Sequence, residues 1–132
     1  MTKAHPIEKD VKRQVKALLD KHNYFWWMVP ANGFGRSGVS DFNAIRAGTF
    51  IAIETKVGKN KPTEMQKGYL NSIAAEQGFS FVVNDSNIES FAAWLDAFDR
   101  AKDAVARGER PSPEDGSIML NALNVLQTPW IV

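Results

Sequence analysis

The chain has no cysteine. That excludes a disulfide scaffold and thiolate metal sites, and it fits a reducing interior. It also lacks any apolar run near the roughly 20 residues that a membrane span requires. Its start, Met1-Thr2-Lys3-Ala4-His5-Pro6, does not read as a signal peptide. A soluble, cytoplasmic protein with no membrane partner is expected. Charge imbalance is missing too: 16 Lys and Arg against 15 Asp and Glu leave a net charge of +1, so the overall balance says nothing of nucleic acid. There are 2 histidines, His5 and His22, a helix's length apart; they make no metal pair and are read as solvent-exposed. Internal repeats and low-complexity segments are absent.

With 132 residues, 44% of them hydrophobic, the chain can bury the core of one catalytic domain and not of two. Ile7, Val11, Val15, Leu18 and Leu19 recur at helical spacing, which predicts a helix from Pro6 to His22. Tyr24 to Val29, aromatic and closed by Pro30, reads as a strand buried on both faces, with the Trp26-Trp27 pair in the core. The glycine-rich stretch from Ala31 to Gly38 is a loop. Asp41 to Arg46 and Thr49 to Val57 read as a hairpin turning at Ala47-Gly48. Thr63 caps a helix that ends before Gly78, and Phe79 to Val83 is a strand. Ser86 with Glu89 forms a capping box for a further helix ending near Arg107-Gly108. The core thus spans residues 1–108. Residues 109–116, with Pro111 and Pro113, read as a linker, and residues 117–132 form an apolar segment, helix or strand, that must bury itself on its own domain or on a second copy. The order helix, three strands, helix, strand, helix gives an α/β sandwich with a central mixed β-sheet flanked by helices.

The chemistry lies between Gly38 and Gln66. Side chains two apart in a strand share a face, so Glu54 and Lys56 point one way while Ile51, Ile53 and Val57 point the other. Charge at the end of an apolar strand needs a compensating partner, and a divalent cation would supply one. Arg36, Arg46, Lys56, Lys59, Lys61 and Lys67 stand in the same region against Asp41, Glu54 and Glu64, so a surface whose carboxylates hold metal is strongly positive.

With Asp41 and Glu54-Thr55-Lys56 in its second and third strands, the chain resembles the PD-(D/E)xK nuclease superfamily, and within it the VRR-Nuc (virus-type replication-repair nuclease) domain, often a stand-alone phage or bacterial protein. The resemblance covers Pro6 to Val83. It rests on Gly38-Val39-Ser40-Asp41, Ile53-Glu54-Thr55-Lys56, Gln66 with its helix, Gly78 before an apolar strand, and Glu8 at the acidic position of the first helix. Ser40 departs from the pattern, since the family usually has proline there, which would stiffen the backbone before the aspartate. The resemblance implies a restriction-endonuclease-like fold and an Mg²⁺- or Mn²⁺-dependent endodeoxyribonuclease, an endonuclease that hydrolyses the phosphodiester bonds of branched or flapped DNA in replication, repair and recombination. Asp41, Glu54 and the main-chain carbonyl of Thr55 would hold the metal, with Glu8 as a further ligand through water. Lys56 would orient the attacking water and stabilise the transition state, and Gln66 would hold water or phosphate. Arg36, Lys59, Lys61 and Lys67 are the DNA-contacting candidates.

Each residue also has a structural reading. Glu54 and Lys56 make an ordinary surface ion pair, Asp41 caps the Gly38 turn, Gln66 closes a capping box on Thr63, and Glu8 complements the helix dipole. Lys9, Lys12, Arg13 and Lys16 form a solvated helix face that could lie along DNA. The loop at Gly33 to Gly38 lacks a P-loop lysine, so no nucleotide cofactor is expected. No base-reading module is visible, which favours structure-selective cutting, and the apolar tail favours a homodimer. The alternative function is a nucleic-acid-binding or regulatory module on the same fold that does not cut.

Overall fold

The computed structural model describes residues 7–29 and 38–127. The elements run α1 (Glu8–Lys21), β1 (Phe25–Met28), β2 (Phe42–Arg46), β3 (Thr49–Thr55), α2 (Glu64–Ala75), β4 (Phe79–Val83), α3 (Ile88–Ala106) and α4 (Pro113–Gln127). The strands form a mixed sheet in the order β1-β2-β3-β4, antiparallel through β3, with β4 parallel to β3. This is the α/β sandwich with a central mixed sheet that the element order implied. No described helix is long and apolar enough to cross a membrane.

The hairpin forms because Ala47 (φ 50°) and Gly48 (φ 78°) both take the left-handed conformation, as a two-residue turn matched to strand twist requires. It pairs Arg46 with Thr49 and Phe42 with Ile53. Alternation then sorts the side chains. Phe42, Ala44, Ile51, Ile53, Phe81 and Val83 enter the main core beneath α1, α3 and α4, where Trp94 stacks on Phe98 and meets Phe81 edge-on. Ala52, Val82 and Phe50 face the other way, toward Leu70, Tyr69 and Ile73 of α2. Gly78 allows that helix to sit close, because a Cβ there would lie 2.7 Å from Ile73 and 3.0 Å from the carbonyl of Phe50.

Four expectations need correction. β1 is an edge strand rather than a doubly buried one, and Phe25 and Trp27 are 71% and 40% exposed, because α2 lies over β3 and β4 and leaves this flank open. His22 is buried, not exposed: both ring nitrogens face carboxylates of α3, Asp99 and Asp96, while His5 lies outside the described residues. Ser86 does not cap α3. The N-cap is Asn87, and a turn closes instead through Asn84 and Asn87, whose side-chain oxygens accept from each other's region of backbone. The apolar tail is helical and starts at Pro113, inside the stretch read as a linker. Ala122 and Leu126 of α4 bury against the chain's own core, and the Gln127 amide donates to the carbonyl of Ser80 on the edge strand β4.

Candidate active site

Asp41 lies one residue ahead of β2, Glu54 and Thr55 end β3, and Lys56 follows them. The pairing of Phe42 with Ile53, extended by one residue, sets Asp41 opposite Glu54. Both carboxylates are therefore held by backbone register rather than by long flexible side chains, and the site inherits the rigidity of the sheet.

Glu54 is 1% exposed. Its Oε1 accepts from the Gln66 Nε2 at 3.0 Å and stands 3.8 Å from the Lys56 ammonium, while Oε2 is buried with no hydrogen-bond donor among the described residues. Burial pushes the Glu54 carboxyl up to about 8, and the negative charge of Asp41 pushes the same way; Lys56 opposes them, and contact with Asp41 and the charge of Glu8 add to the rise.

Among the described residues, Asp41 makes no hydrogen bond to the Gly38 turn. Its Oδ2 accepts from the backbone N–H of Thr55 at 2.9 Å and from the Thr55 hydroxyl at 2.6 Å, and its Oδ1 lies 3.8 Å from the Lys12 ammonium. The Thr55 hydroxyl also lies 3.4 Å from Glu8, which brings the first turn of α1 to the site. Three carboxylates thus face two ammonium groups. Lys12 was read as part of a solvated face. The signal for it was its place four residues after Glu8, one turn along the same helix face. The part of the Thr55 side chain in bridging Asp41 and Glu8 had no sequence signal.

Gln66 closes the capping box and also reaches Glu54. Its Oε1 accepts from the Thr63 N–H at 2.8 Å, its own N–H donates to the Thr63 hydroxyl at 3.2 Å, and its Nε2 is left to hold Glu54. The capping box fixes the rotamer that delivers the amide to the carboxylate.

Ser40 supplies by hydrogen bonds the stiffness that a proline would supply covalently. It is 1% exposed, and its hydroxyl lies 3.0 Å from both the Phe42 carbonyl and the Asn43 Oδ1. The Tyr69 hydroxyl of α2 donates to the same Asn43 oxygen at 2.7 Å. Gly38 (φ 81°) lets this corner approach α2, since a Cβ there would lie 2.6 Å from the Met65 carbonyl oxygen.

No protein-family model matches the chain, and no curated protein does. Among solved structures it is similar to Hjc, a Holliday junction resolvase from the archaeal hyperthermophile Archaeoglobus fulgidus, with 19% identity and a TM-score of 0.46 over 58% of this chain and 66% of that one.

Lys59 and Lys61 are exposed on the loop after β3, Lys67 pairs with Glu64 at 3.2 Å, and Arg36 falls outside the described residues.

The residues at the site suit a hard divalent cation. Among the described residues no three acidic or histidine side chains could hold an ion by themselves. Asp41 and Glu54 contribute oxygen donors, and the partnerless Oε2 of a buried carboxylate is the group that an ion would complete.

Proposed function

We propose that the chain is an Mg²⁺- or Mn²⁺-dependent endodeoxyribonuclease of the VRR-Nuc type, acting on branched or flapped DNA. The observation that carries this reading is the Oε2 of Glu54, a buried carboxylate oxygen beside Asp41 that receives no hydrogen bond from a donor among the described residues. A carboxylate in that setting is costly unless a cation joins it.

Asp41, Glu54 and the Thr55 carbonyl would hold the ion, which when bound polarises the scissile phosphate. Lys56 keeps its ammonium beside Glu54, 3.8 Å from Oε1, where it orients water and meets the charge that develops on the phosphate. Gln66 holds Glu54 in one rotamer, and Thr55 and Lys12 do the same for Asp41. Glu8 adds negative charge at the rim of the site and reaches an ion through water. Phosphate contacts carry no sequence information, and Lys59, Lys61, Lys67 and Arg36 serve that purpose around the site. Two copies would address two strands, with the exposed Leu120 and Val125 of α4 as the pairing surface; a monomer in light scattering at micromolar concentration removes that part of the reading.

The test is nicking of branched and linear DNA in Mn²⁺. Cleavage that disappears in EDTA and in both Asp41→Ala and Glu54→Ala is the expected result. Retardation of DNA by the parent protein without any cleavage gives the non-catalytic binding module instead.

A further inference from the structure

We propose that Phe25, Trp27 and Phe50 form a stacking platform for unpaired nucleobases on the sheet face that carries Glu54. The proposal rests on the nuclease reading for its polymer partner and deepens it by naming the feature of DNA that is gripped.

The register lays out this face in rows. Phe25, Ile45 and Phe50 lie across β1, β2 and β3 in one row; Trp27, Asn43 and Ala52 make the next; Asp41 and Glu54 continue the series. By strand spacings of about 3.3 Å along and 4.8 Å across, Trp27 stands about 12 Å from Glu54, a reach of a few nucleotides. The rings form a connected set, with Phe25 and Trp27 centroids 5.9 Å apart and Trp27 edge-on to Phe50 at 6.0 Å. α2 covers β3 and β4 and leaves this flank in water, with Phe25, Trp27 and Ile45 at 71%, 40% and 39% exposure.

Size and chemistry select the occupant. Even at about 250 Å² for a whole aromatic side chain, the exposed fractions of these residues fall well short of the roughly 800 Å² per partner that a stable protein interface buries. A second copy of the chain is therefore a poor fit. Two flat rings in water, Phe25 and Trp27, with the half-buried Phe50 beside them, suit flat ligands. Stacking is indifferent to base identity, because every base has a π-face, and it needs bases that are not already paired and stacked. A platform of this kind beside a phosphate-cleaving site selects DNA with an unpaired arm.

The experiment measures anisotropy of a fluorescein-labelled oligothymidylate and of a duplex of the same length, in EDTA so that no cleavage intervenes. Phe25→Ala combined with Trp27→Ala should weaken oligothymidylate binding about tenfold or more and duplex binding far less, while Trp27→Phe keeps most of the affinity. Phe25→Ser, at a position too exposed to disturb the core, should give a smaller loss of the same kind. Oligothymidylate binding unchanged in both the double variant and Phe25→Ser overturns the proposal. So does an equal loss for duplex and single strand, or a parent dimer that the double variant converts to a monomer in sedimentation. Single-strand binding by a parent that fails to nick DNA in Mn²⁺ sinks the nuclease reading and leaves the platform standing; nicking with unaltered single-strand affinity in the variants does the reverse.

Discussion

Two clusters of charge close the two ends of β2 and β3, and they follow opposite rules. At the Arg46 end, the buried His22 sits between Asp99 and Asp96, and Arg46 donates to the second oxygen of Asp99. Asp99 there has the Arg46 guanidinium on one oxygen and the His22 ring on the other, and the cluster ties the end of α1 to β2 and α3. At the Asp41 end, Glu54 is buried just as deeply, yet one of its oxygens has no hydrogen-bond donor among the described residues and its neighbours include two more carboxylates. Paired buried charges come near to breaking even, whereas a buried carboxylate beside like charge is a standing cost. The same sheet therefore carries one cluster that holds the fold and another that works against it. The second is where a ligand would restore the balance, and a local violation of the pairing rule is what a functional site leaves behind.

The comparison breaks most visibly on activity. Lys56→Ala should lower Mn²⁺-dependent cleavage by at least about a hundredfold while DNA affinity and folding stay near those of the parent; unchanged turnover in the purified variant removes Lys56 from the mechanism. At the other end, Asp99→Ala leaves His22 and Arg46 without their shared carboxylate and should cost about 2–3 kcal/mol of stability in urea denaturation, with cleavage per folded molecule unchanged. A loss of activity without a loss of stability there would dissolve the distinction between the two ends.

Glu54 gives a third test, with its sign fixed by the pKa. The folded-state value, about 8, lies above the ordinary 4.5, so folding favours the protonated form. The stability this contributes is full below about 4.5 and is lost as the pH rises through 8, a change on the order of a few kcal/mol. Without metal, the parent should melt at a lower temperature at pH 9 than at pH 5 by more than Glu54→Gln does. Mn²⁺ should recover the difference in the parent alone. A parent and variant with parallel pH profiles would mean that Glu54 is ionised at no cost.

The smallest effect separates the two duties of Gln66. Thr63→Ala removes a cap and should cost about 1 kcal/mol with cleavage retained. Gln66→Ala should lose a similar amount of stability and, in addition, about tenfold in cleavage, because it frees Glu54 as well. Equal activity in the two variants makes Gln66 a capping residue alone.

Much of this was legible in the residues themselves. The Ala47-Gly48 turn fixes the hairpin register, and the register alone puts Asp41 across from Glu54, because side-chain direction along a strand has a period of two. Thr63 and Gln66 state a capping box in four residues. The tail was ambiguous between helix and strand, because an evenly apolar run lacks the period that separates them, and it became a helix by packing Ala122 and Leu126 onto the core. His22 was misread because a lone histidine at a helix end carries no sign of the carboxylates, Asp96 and Asp99, that reach it from more than seventy residues away. Burial of Phe25 and Trp27 was expected from their apolarity, and their exposure follows from where α2 happens to lie.

Local order of residues, then, settled the elements up to α3, the hairpin turn, and which side chains of the strands share a face, since these depend on neighbours within a few positions. The three-dimensional arrangement decided which charges are compensated. Lys12 reaches Asp41, Thr55 links Asp41 to Glu8, and one oxygen of Glu54 is closed off from water and, among the described residues, from any hydrogen-bond donor. Desolvation depends on everything packed around a group, and no stretch of sequence encodes it alone.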